Sequence, residues 1–229
     1  MLKKLQSLKA KKGFTLVELI VVIAIIAVLA AILVPTMLGY VTSSRVTSAN
    51  STAASIKNNI DSFMTTADTQ GYGMKLGSTV NQKLDITVKE AKWTISKATD
   101  TNFKSGSSIK WGDGATDITK DKKKSETTKA EELLAIELAN LFPDIKNAAI
   151  VVLLNGGKCS GVAYTADANT MDDFKDQYPT VIDSTDKAME FASSFKWDDK
   201  TAGVSKDGLI VGTAPAIQLG SGTTTPSTT

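Results

Sequence analysis

The chain has no histidine, one cysteine and one arginine among its 229 residues. The missing histidine excludes Ser-His-Asp and Cys-His nucleophilic sites, and every metal site that needs imidazole. A single cysteine, Cys159, excludes an intrachain disulfide. Its simplest role is that of a small buried apolar side chain. Arg45, alone among many lysines, reads as composition bias rather than as chemistry. Charge of one sign is not in excess either, since the formal net charge is only +2. That balance gives no reason to expect nucleic acid or an acidic substrate as a partner. No constellation of polar residues points to catalysis.

The charge is nonetheless unevenly spread. Lys3, Lys4, Lys9, Lys11 and Lys12 fall within residues 1–13, which hold no acid. Without those five lysines the formal charge drops from +2 to −3. Directly after them, every residue from Leu19 to Val34 is apolar. The wider segment 14–39 contains one charge, Glu18. As a helix it measures about 39 Å at 1.5 Å per residue, enough to cross about 30 Å of hydrocarbon. The lysines lie on its N-terminal side, so the positive-inside rule keeps residues 1–13 in the cytoplasm and exports the rest.

Three readings of this segment compete. A cleaved secretory signal needs a shorter apolar region and then a polar mature start, whereas Ala30-Ala31 is followed by more apolar residues. A plain transmembrane anchor accounts for the hydrophobicity but not for Glu18. A carboxylate at the centre of a membrane helix costs about 2.5–3.5 kcal/mol on insertion scales, and less near an end. Such a group asks for a partner.

The third reading rests on the motif Lys11-Lys12-Gly13-Phe14-Thr15-Leu16-Val17-Glu18. It resembles the class III signal of type IV pilins and pseudopilins. The resemblance covers about the first forty residues and includes Pro35. It implies cleavage between Gly13 and Phe14 by a prepilin peptidase, which then N-methylates Phe14. Glu18 matches the family's acidic position. The resemblance further implies an assembly platform, a cytoplasmic ATPase and a homo-oligomeric helical filament. The subunit would sit in the cytoplasmic membrane before assembly, C-terminus outside, and at the cell surface afterwards. Glu18 of one subunit could neutralise the Phe14 amine of its neighbour, because pairing offsets the cost of two charges in an apolar interior. Pro35 removes a helical hydrogen bond, and Gly39 adds local weakness. The family resemblance suggests local melting there.

After Tyr40 the pattern changes. Val46, Ala49, Ala53, Ile56, Ile60, Phe63 and Ala67 recur at alternating spacings of three and four, an apolar stripe of helical period. The helix is therefore expected to run on to about Ala67 and to stop before Gly71 and Gly73. Four regions follow residues 1–13: a membrane or filament-core helix over 14–39, its amphipathic continuation over 40–68, a head over 69–220 and a disordered Ser/Thr tail over 221–229.

Within the head, Lys83–Ser96 reads as one or two strands. Residues 101–124 read as loop, and Glu126–Leu141 as a helix stopped by Pro143. Ala148–Leu154, the turn Asn155-Gly156-Gly157-Lys158, and Cys159–Thr165 form the clearest hairpin. A short helix is expected over Asp186–Phe195, with late strands at Leu209–Val211 and Ala216–Leu219. The expected fold class is α+β, a long N-terminal helix packed on an antiparallel β-sheet head. The resemblance implies the same lollipop architecture.

Other motifs are weaker. The run Lys120–Lys124 reads as a solvated loop, because no aromatics interleave with its lysines as a DNA-binding surface would need. Asp113, Asp117, Asp198 and Asp199 could serve calcium, but their spacing does not match an EF-hand. No cofactor is otherwise expected. Asn50-Ser51-Thr52 fits a glycosylation sequon but falls inside the predicted helix. The Ser/Thr tail fits O-glycosylation by composition. The leading functional reading is a pilin serving adhesion, motility or aggregation. The alternative is a pseudopilin of a type II secretion or competence machine, and a third class is a tethered enzyme or ligand-binding module.

Overall fold

The computed structural model describes residues 14–76, 80–105, 107–166, 181–182, 189–190, 197–198, 203–206 and 208–215. The leader lysines Lys11 and Lys12, Gly13, the expected strand Ala216–Leu219 and the tail 221–229 lie outside these residues. The chain divides into two compact units, residues 1–43 and 44–229, which are taken separately. Helix α1, Leu16–Thr69, contributes to both.

In the first unit, the described residues Phe14–Ser43 are a start and a helix. Every side chain from Phe14 to Val41 is exposed, Phe14 at 88% and Ile20 still at 50%. The helix runs through Pro35 without interruption. Proline offers no N–H, so the carbonyl four residues earlier lacks its usual donor. The neighbouring Thr36 hydroxyl donates to the Leu33 carbonyl at 2.8 Å. This is ordinary back-bonding of a helical threonine and does not reach the carbonyl of Ala31 that Pro35 frees.

The second unit is an α+β head. Its core is the stripe of α1 laid on a six-stranded antiparallel sheet of order β3-β2-β1-β4-β5-β8. The strands are β1 Asn81–Lys89, β2 Lys92–Ile95, β3 Ala115–Ile118, β4 Ala148–Asn155, β5 Lys158–Thr165 and β8 Gly212–Ala214. All seven stripe residues are buried, and Met64 joins them. All of these except Val46 share one core with Leu84, Ile86 and Val88 of β1 and with Ile150, Val152 and Leu154 of β4. Helix α2, Ala130–Leu141, adds Leu134, Ile136 and Leu138 to it.

Strand β4 is buried along both faces, which explains why its sequence is a continuous apolar run instead of an alternation. Its second face, Ala149, Val151 and Leu153, meets Ala163, Val211, Trp197 and Leu209. The β4–β5 hairpin closes through Gly156 (φ 54°) and Gly157 (φ 93°), with Asn155 paired to Lys158. Two successive positive φ values are what a two-residue type I′ turn demands, and glycine supplies them at least cost. The β1–β2 turn has the same form but uses Glu90 (φ 51°) and Ala91 (φ 63°). The Ala91 N–H donates to the Lys146 carbonyl at 2.9 Å, which holds the turn against the α2–β4 connection.

Several expectations need correction. The stretch 101–124 is not simply loop, because β3 lies within it and pairs with β2 at Trp93↔Ile118 and Ile95↔Ala115. Its composition is that of a turn, and only β2's edge and α2 make it a strand. The second helix starts at Ala130 rather than at Glu126, and a 3-10 turn occupies Lys124–Glu126. Within the expected helix Asp186–Phe195, Met189–Glu190 is a strand (β7) paired with Val181–Ile182 (β6). The late strand falls at Gly212–Ala214, just beyond Leu209–Val211, while Ile210 bridges back to Val204.

A buried acid went unforeseen. Glu131 in the first turn of α2 is fully buried. Its Oε1 accepts the N–H groups of Ala98 (3.1 Å) and Gly112 (2.7 Å). Both N–H groups thereby find an acceptor, while Oε2 of the same side chain is buried with no hydrogen-bond partner among the described residues. Strand β8 is tied to α1 in a comparable way. Asn50 Oδ1 accepts the Thr213 N–H at 2.8 Å. Gly212 lies so close to the backbone of Ala49 that a side-chain methyl would collide with it.

Two outcomes are expected. Gly212→Ala should cost about 1–3 kcal/mol, the usual range for overpacking, and lower the thermal midpoint. An unchanged midpoint would contradict the close approach. Glu131→Ala leaves the buried Ala98 N–H without an acceptor, at about 1–3 kcal/mol, and removes the partner of the part-buried Gly112 N–H. Chemical denaturation should show this loss partly restored in Glu131→Gln.

Candidate functional site

The start of α1 is built from Thr15 and Glu18. Thr15 precedes the first helical residue, Leu16, and Glu18 lies in the first turn. The Thr15 N–H and hydroxyl donate to Glu18 Oε2 at 2.8 and 2.7 Å. In return, the Glu18 N–H donates to Thr15 Oγ1 at 3.2 Å. This is a capping box, in which two otherwise orphaned backbone donors are met reciprocally by side chains. The carboxylate also sits at the positive end of the helix dipole. Glu18 thus has a partner inside its own chain, three residues away. The Thr-x-x-Glu spacing is the sequence signature of that partner.

Other candidate residues are placed as follows. Phe14 is described and exposed immediately before the box, whereas Gly13 lies outside the described residues. Pro35 lies inside α1. Asn50 of the sequon is engaged by Thr213. The lysine run is anchored more than a free loop would be. Lys122 Nζ pairs with Glu132 Oε2 at 2.7 Å, and Lys124 Nζ with Glu137 Oε2 at 2.6 Å. Burial alone would raise the Glu132 carboxyl, but bonds from Lys122 and Thr127 outweigh it and hold the group below its ordinary value.

Asp117 belongs to β3, and Asp199 lies outside the described residues. Among the described residues no three acids or cysteines gather into a metal site. Cys159 is buried, and its N–H donates to Asp61 Oδ1 at 2.6 Å. Desolvation and the Asp61 carboxylate push its thiol up to about 12.

Among known families, the model of the prokaryotic N-terminal methylation motif matches residues 8–34. No curated protein matches the chain. No solved structure matches it either. The matched residues carry the class III prepilin signal of type IV pilins and pseudopilins. The family for which the motif is named is one of structural subunits. In agreement with the motif, α1 is long and apolar enough to cross a membrane and lies near the N-terminus.

Removing the Thr15 hydroxyl by Thr15→Val should weaken the first turn by about 1 kcal/mol, the ordinary worth of an N-cap. Amide exchange at Val17–Leu19 in detergent micelles should quicken several-fold, and unchanged exchange would show that the box contributes nothing. Because the thiol remains protonated at neutral pH, Cys159 should resist iodoacetamide in the folded chain and react once denatured.

Proposed function

We propose that the chain is a structural subunit of a type IV pilus, made as a membrane-anchored precursor and polymerised into a surface filament. The observation that carries this reading is the bare apolar helix Phe14–Val41 directly behind a methylation motif. So large an exposed apolar surface does not persist in water. It needs a bilayer first, and then the same segment of other copies.

The mechanism is one of cleavage and repacking. A prepilin peptidase cuts between Gly13 and Phe14 and methylates the new amine of Phe14. An assembly platform and a cytoplasmic ATPase draw the subunit out of the membrane. In the membrane, Thr15 shields Glu18. In the filament, the Phe14 amine of a neighbouring copy takes over, and that exchange selects the correct stagger. A charge pair is retained where it sets register. Adhesion, motility or aggregation would follow from the filament. A pseudopilin of a secretion or competence machine uses the same signal and the same first steps, and differs in making a short filament.

The deciding measurement is mass spectrometry of protein sheared from the cell surface. An abundant N-terminal peptide starting at Phe14 and carrying one extra methyl group is the expected result. The same processed peptide confined to the membrane fraction would favour a pseudopilin. An intact Lys12-Gly13-Phe14 junction everywhere would overturn the reading. Glu18→Gln can preserve an acceptor for Thr15 while removing the charge. It should abolish most filament assembly, as should Glu18→Ala, and wild-type filament yield from both would end the register argument.

A further inference from the structure

Between Glu18 and Lys57 the sequence holds one charged residue, Arg45. It is exposed on α1, and no hydrogen bond or ion pair joins it to another described residue. Elsewhere on this helix charges are met locally, Lys57 by Asp61 and Asp68 by Lys104. Beside Arg45 lies a hollow of about 370 Å³, lined by Ser48, Thr52, Tyr164 and Ile210 among others. None of its lining residues is acidic. A cation therefore borders a hollow walled by hydroxyl-bearing and apolar groups, with no counter-ion supplied by the lining.

Sequence position says what can supply one. Arg45 stands four residues after Val41, where the run of large exposed apolar side chains ends, two residues beyond the Gly39 end of the span. Four residues of helix rise about 6 Å, and the polar zone on each face of a bilayer is about 5–8 Å deep. Helical side chains lean toward the N-terminus, which here is toward the apolar segment. Long arginines near the ends of membrane helices reach the interface in this way. The guanidinium fork matches phosphate oxygens better than an ammonium does.

We infer that Arg45 binds the phosphate of a lipid headgroup on the outer face of the membrane before the subunit is assembled. The inference rests on the reading of Phe14–Gly39 as a membrane span. Arg45 would fix the depth of the helix, and this contact must be given up when the subunit is withdrawn into a filament.

Because the chain has a single arginine, labelling all arginine with ¹³C and ¹⁵N marks this position alone. The full chain would be reconstituted into vesicles of phosphatidylethanolamine and phosphatidylglycerol in phosphate-free buffer, and flotation would establish insertion. Carbon–phosphorus dipolar recoupling by solid-state NMR then reads the guanidinium carbon. Clear dephasing by lipid phosphorus is expected. Floating vesicles with no dephasing would overturn the proposal while leaving the membrane span intact; a chain that fails to float would sink the span reading and the proposal with it. Inorganic phosphate added to the chain in a phosphorus-free detergent distinguishes the other source. Dephasing there, with none in vesicles, would identify a site for free anions and refute the lipid assignment.

Discussion

The head depends on the contact between the apolar stripe of α1 and one face of the sheet. Ala49 through Ala67 present small and branched side chains every three or four residues, and β1 and β4 answer with Leu84, Ile86, Val88, Ile150, Val152 and Leu154. Neither element is sufficient alone. A helix that carries serines and threonines on its other side, many bonded back to their own i−4 carbonyls, has modest intrinsic stability. A sheet with one apolar face uncovered would associate with others. Each completes the other, and α2 and β8 are added around that seam.

The polar groups of the head follow from the same seam. Asp61 leaves α1 to receive the Cys159 N–H, and Asn50 leaves it to receive the Thr213 N–H. Each ties a strand to the helix without a covalent bond. A chain with one cysteine cannot staple its C-terminal region by a disulfide, and these acceptors, with the glycine at 212, do comparable work. Glu131 does likewise for the segment before β3, collecting the backbone donors of Ala98 and Gly112.

At the other end of the chain the constraint is reversed. Nothing among the described residues covers Phe14–Val41, and its one charged side chain is turned inward to Thr15. The capping box satisfies Glu18 locally, within the same turn of helix.

The sequence by itself determined whatever follows from short-range pattern. The methylation motif, the membrane-length run, the seven-residue stripe and the Gly156-Gly157 hairpin are periodicities or local φ requirements, and each is written in contiguous residues. The capping box was legible on the same terms, as Thr15 and Glu18 three apart. Only tertiary structure decided the rest. Strand β3 has a loop's composition and becomes a strand because β2 offers an unpaired edge. Residues Met189–Glu190 carry a helical-looking context, yet they pair with Val181–Ile182. Glu131 is buried because Ala98 and Gly112, distant in sequence, bring it their N–H groups. The hollow beside Arg45 is formed with Tyr164 and Ile210, which lie far from it in sequence. Hydrogen-bond partners and unpaired edges at long sequence separation leave no periodic trace, so a one-dimensional pattern cannot report them.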